Sequence, residues 1–219
     1  MNITRQVKYL LEKEVLLEWR SKYAFNGILL YVVSTIFVCY QSFKSTPPLI
    51  WNALFWIIML FTAVNAIAKS FMQESKGRLL YYYTLASPQA IIISKIIYNI
   101  LLMLVMSGIA LLAYSIVFQS PVADNWLYMA SVALGALCFS TVFTMISAIA
   151  SKAGNNGTLM AILSFPIIIP VLMLIIKLSK NAMDGLDRGV SYDEIGVLLI
   201  INLIVIVISL LLFPFLWRE

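Results

Sequence analysis

Apolar residues along this chain come in long unbroken runs, separated by short polar or proline-bearing joints. No run shows the two-residue alternation of a half-buried strand, and each is close to the roughly 20 residues that carry a helix across a bilayer core. The runs predict six membrane-spanning helices at Ala24–Tyr40, Leu49–Ala68, Ile96–Phe118, Trp126–Ala150, Leu159–Ile176 and Ile195–Leu216. Breakers stand where the joints fall: Thr46-Pro47-Pro48, Ser87-Pro88, Ser120-Pro121, Gly154-Asn155-Asn156-Gly157 and Asp184-Gly185. Tyr23, Trp51, Trp126 and Trp217 lie near run ends, as interfacial anchors do. Ahead of the first run, Ile3, Val7, Leu10, Leu11 and Val15 gather near one helical face, with Arg5, Glu12 and Lys13 opposite and Glu14 intruding on the apolar side. Residues 1–22 therefore read as an amphipathic helix lying in the interface. The expected architecture is all-α: a single domain over 1–219, in which that helix precedes a six-helix bundle over 24–216. Met1 to Lys22 is too charged to be a cleavable signal.

Composition supports this reading. Hydrophobic residues make up 62% of the chain and charged ones 11%, against about 45–50% and 25% in soluble domains. A chain of 219 residues folded in water leaves too much surface to hide so much apolar side chain. In hydrocarbon, each backbone N–H and C=O needs a partner within the protein, which helices supply. Charge then sets the orientation. Of the 15 basic residues, Lys44, Lys177, Lys180 and Arg188 fall on one side of the expected bundle and the other eleven, Lys95 among them, on the opposite side. The basic side is expected to be cytoplasmic, with both termini there. The net charge of +5 is thus topology and attraction to anionic lipid rather than a nucleic-acid footprint.

Candidate chemistry is sparse. The chain has no histidine, which removes the commonest general base and haem ligand. Its two cysteines, Cys39 and Cys138, lie inside apolar runs, and neither a disulfide nor a thiolate metal site is expected. No phosphate-binding loop, carboxylate relay or catalytic dyad is present, so no catalytic residues are assigned and any energy source must come from a partner.

Three features remain. The segment from Lys69 to Pro88 is too charged for lipid, yet from Leu79 to Leu85 too apolar for water, so it calls for a protein partner or the interface. Gly77 allows a tight turn there, and Ser87-Pro88 starts the next helix. Pro166 and Pro170, four apart, fall on one helical face and free carbonyls there; that stretch is expected to face protein or a wet cavity. The amides Asn52, Asn65, Asn99 and Asn202 read first as glue between helices, and second as marks of a path.

The segment Glu74-Ser-Lys-Gly77-Arg78-Leu79-Leu80, continuing through Thr84-Leu-Ala-Ser-Pro88 to Lys95, resembles the coupling segment of type-2 ABC exporter permeases. With Lys152-Ala-Gly154-Asn-Asn-Gly157 and the run Phe165-Pro166-Ile-Ile-Ile-Pro170, the whole layout resembles the haem exporter protein B (CcmB) family. The chain departs from that pattern at Leu80 to Tyr83, where family loops carry an acidic residue, leaving a more apolar contact surface. The resemblance implies a half-size permease of the bacterial inner membrane that acts in c-type cytochrome biogenesis. It would pair as a dimer with a cytoplasmic ABC ATPase, which binds the ATP, and work with other maturation subunits and a haem chaperone. Glu74, Gly77, Arg78, Leu79, Leu80 and Pro88 would then serve ATPase coupling, Lys152, Gly154 and Gly157 a second cytoplasmic loop, and Pro166 and Pro170 the pathway. Haem would be cargo, held tightly by no residue of this chain. Export of another amphipathic cargo, and a non-transporting assembly scaffold, stay open beside this reading.

Overall fold

The computed structural model describes residues 3–21, 23–43, 46–67, 86–152 and 157–218. Among them, seven α-helices form and no strand: α1 (Ile3–Ser21), α2 (Tyr23–Ser42), α3 (Pro48–Ile67), α4 (Pro88–Phe118), α5 (Asn125–Lys152), α6 (Gly157–Met183) and α7 (Tyr192–Arg218), with a 3-10 turn at Arg188–Ser191 before α7. Helices α2 to α7 correspond to the six expected spans, each long and apolar enough to cross a membrane.

The ends of these helices follow local chemistry. Ser87, in extended backbone, caps α4 by accepting from the Ala90 N–H, and Pro88 sits in the first turn where its missing N–H costs nothing. Asp124 caps α5, its Oδ1 accepting from the Trp126 and Leu127 N–H groups at 3.0 and 3.1 Å. Gly185 follows α6 with φ +65°, a left-handed turn that suits glycine. Two helices outrun their apolar cores. α4 begins at Pro88 instead of Ile96, because the Ser87 cap and the packing of Ile91 and Ile92 carry the helix into the charged region. α6 continues past Ile176 to Met183, because Lys177 meets Glu194 of α7 at 2.6 Å and Ser179 and Asn181 find partners.

The bundle is arranged around α5, which packs against α3, α4, α6 and α7. Of its apolar window 78% is buried within the chain, against 17% for α2 and 22% for α7. The reason is side-chain size. Ser131, Gly135, Ala136, Ser140, Thr141, Thr144 and Ser147 line it with small groups, which let neighbouring backbones approach closely. The hydroxyls of Ser131 and Ser140 donate to carbonyls three residues earlier, so burying them leaves no unmet donor.

Cys39 is half-buried near the end of α2, and Cys138 is buried in α5 with its Sγ 3.8 Å from the Leu198 carbonyl. In single-cysteine variants, an impermeant thiol reagent is expected to label Cys39 slowly and Cys138 not at all, read as a mass shift. Rapid labelling of Cys138 would overturn the packing of α5 against α7.

Candidate functional site

At one end of the bundle the start of α4 meets α1 and the ends of α5 and α7. The stripe Val7, Leu10 and Leu11 lies on the packed side of α1, while Ile3 and Val15 are exposed. Leu10 packs against the cluster of Ile91, Ile92, Ile96, Ala148 and Phe213. This explains Glu14. On that same face it meets Lys95 at 3.0 Å and Lys13 at 2.8 Å. Burial opposes its ionisation, but the ammonium groups of Lys95 and Lys13 outweigh this and hold the carboxyl below its ordinary range. Lys95, one of the eleven basic residues counted on this side, is a buried residue of α4. Glu18 accepts from the Phe25 N–H at 2.8 Å, tying α1 to the first turn of α2.

Glu74, Gly77, Arg78, Leu79 and Leu80 lie outside the described residues, as does Gly154. Pro88 is the first residue of α4, Lys152 the last of α5 and Gly157 the first of α6.

In the middle of the bundle the amides act as glue. Asn99 Nδ2 donates to Thr144 Oγ1 at 2.8 Å, joining α4 to α5, and Thr141 Oγ1 donates to Asn202 Oδ1 at 2.8 Å, joining α5 to α7. Nearer the far end, Asn52 Nδ2 reaches the Ile176 carbonyl at 3.3 Å, joining α3 to α6. Asn65 differs, lying on the exposed side of α3. α6 runs through Pro166 and Pro170, and both are exposed, on a stripe with Ile162, Phe165, Ile169 and Met173 that no described part of the chain covers. Both prolines share that exposed face, which points away from this chain's own core.

The far end is closed by aromatic rings. Trp51, Phe55, Tyr114 and Tyr128 are buried with centroids 4.8 to 6.1 Å apart, and the Tyr114 hydroxyl donates to the Trp51 carbonyl at 3.0 Å. Outside them Asp124 joins three elements. It caps α5, its N–H donates to the Ala182 carbonyl at 2.9 Å, and its carboxylate takes Arg188 Nε and Nη2 at 2.7 and 3.1 Å. The Arg188 guanidinium and the Leu127 and Trp126 N–H groups hold its carboxyl below the usual range. Sequence reading missed this clasp and the Glu14–Lys95 pair. The only trace of either was a charge out of place, such as an acid on an apolar stripe.

An all-helical bundle with six apolar crossings, small residues and amides at its helix contacts and charges confined to its ends defines a multi-pass membrane protein. The family model described as CcmB protein matches residues 5–217, nearly the whole chain, and the chain belongs to that family. Membership implies a permease subunit of a haem-exporting ABC transporter in cytochrome c maturation. Comparison with curated proteins and with solved structures gives no significant match.

Proposed function

We propose that this chain couples ATP hydrolysis by a separate cytoplasmic ATPase to haem handover, or to release of the loaded haem chaperone, outside the bacterial inner membrane. Both termini, α1 and the start of α4 are cytoplasmic, and the aromatic end faces outward. Residues 69–85 contact the ATPase and pass its movement to α4. The observation that carries this reading is the family match from residue 5 to 217, which runs through α1, the 69–85 segment and all six spans. Deletion of the chain is expected to remove every c-type cytochrome while b-type cytochromes remain, read by haem-stained gels and difference spectra. Loss of both types would point to haem supply instead, and normal c-type levels would refute the role.

Energy coupling fits the chain better than haem carriage through its own core. It has no histidine, and the outer end of the bundle is filled by the packed rings of Trp51, Phe55, Tyr114 and Tyr128. Its possible iron ligands are Met, Tyr and Cys, and methionine serves haem iron mainly opposite a histidine. The purified chain is therefore expected to show no stoichiometric haem absorbance, and to gain it only with partner subunits that supply histidines. A one-to-one haem complex of this chain alone, lost on changing one Met or Tyr, would move the role to direct haem carriage.

A further inference from the structure

Three ties hold α1 against the start of α4. The Ser87 N–H and hydroxyl both donate to Gln6 Oε1, at 3.0 and 2.9 Å. Lys95 Nζ lies 3.0 Å from Glu14 Oε1. The Tyr98 hydroxyl is hydrogen-bonded to the Glu18 carboxylate. The paired residue numbers differ by 81, 81 and 80, so the two helices run side by side in the same direction. From Ser87 to Tyr98 that is 11 residues, about 16 Å at about 1.5 Å per residue.

The length of α4 says where this pairing sits. Its 31 residues make a rod about 46 Å long. The bilayer core is about 30 Å thick, and a tilt of about 20° lengthens the path only to about 32 Å. Counting about 20 residues back from Phe118 reaches Asn99. The overhang is therefore Pro88 to Tyr98, the part that α1 lies along. It falls at the charged end because Lys95, Glu14 and Glu18 are far less costly beside headgroups than in hydrocarbon. An unsupported overhang of three turns would fray, since so short a helix is marginal without packing. α1 braces it, and Leu10, Ile91, Ile92 and Ile96 pack onward against Ala148 of α5 and Phe213 of α7.

We propose that α1 and the first three turns of α4 form one rigid strut, which carries displacement of the 69–85 segment into α4, α5 and α7. Glu14 and Lys95 are its positioning residues. The segment rejoins the described chain one residue before Ser87, where the Gln6 amide grips the cap, so a push there moves both helices together. The strut rests on the proposed ATPase contact of residues 69–85, and its failure is separable from failure of that contact.

The test uses the assembled complex. Glu14→Leu is expected to keep ATPase co-purification and ATP hydrolysis but lose most holocytochrome c, and the double exchange Glu14→Lys with Lys95→Glu is expected to restore it. Spin labels at Leu16 and Ile97, both exposed, are expected to keep one separation in nucleotide-free and ATP-trapped states. Full maturation by Glu14→Leu, or a label separation that changes with nucleotide, would overturn the strut. If Glu14→Leu fails to accumulate, the exchange decides, and a stable exchange variant that still fails in maturation overturns it too. Normal ATPase binding by a Leu80→Asp variant would sink the contact of residues 69–85, whatever α1 does.

Discussion

Leu80→Asp, or Gly77→Val, is expected to leave the chain inserted at its normal level and abolish co-purification of the ATPase, with c-type cytochromes falling below detection. Leu79 to Leu85 is an apolar stretch beside charged residues, and such a stretch gains most by filling a groove on a partner. A buried carboxylate in that groove would have no countercharge, a loss of several kcal/mol and so more than a hundredfold in affinity. Gly77→Val acts differently, by closing off the backbone conformations that a tight turn uses. Accumulation should not change, because α4 starts independently at the Ser87 cap. The measurement is affinity pull-down of the solubilised complex, with immunoblots for both chains. Normal ATPase recovery from both variants would remove residues 69–85 from the contact.

The second large effect lies in the bundle itself. A Cβ on Gly135 would stand 2.5 and 2.7 Å from two ring atoms of Trp56. That ring cannot yield easily. It is fully buried, edge-on to Phe55 and Phe139, and its Nε1 donates to Ser179 Oγ at 2.8 Å. Gly135→Ala is expected to destabilise by about 1–3 kcal/mol through overpacking, read as a lower melting temperature in detergent. Gly135→Leu is expected to prevent accumulation. Gly108→Ala is the contrast: nothing lies within 4 Å of its added Cβ, and in a helix interior alanine is favoured by up to about 1 kcal/mol. If Gly135→Ala melts with the parent, the close contact between α3 and α5 is wrong.

Much of the fold was legible because a bilayer punishes unpaired backbone so heavily. Run length alone placed six helices, and Ser87-Pro88 and Asp184-Gly185 marked joints that the structure keeps. Local chemistry sufficed there because the cap and the turn involve neighbours in the chain. The candidate site was legible only as a motif. Glu74 to Leu80 stood out by mixing charge with leucine, a property of composition that needs no partner to be seen.

The sequence by itself determined that this protein is a six-span helical bundle with charged ends, and that Pro166 and Pro170 share a face. Only the tertiary structure decided which way each face points. Hydropathy separates helix from water, but lipid tails and a helix interior are equally apolar, so it cannot tell outside from core. Thus α5 became the centre through small residues that no hydropathy plot weighs, and the proline face turned outward. In the same way Glu14 looked misplaced until Lys95, 81 positions along the chain, came within 3.0 Å of it. An ion pair of that kind is set by the register between two helices, which is a property of their packing and not of either sequence alone.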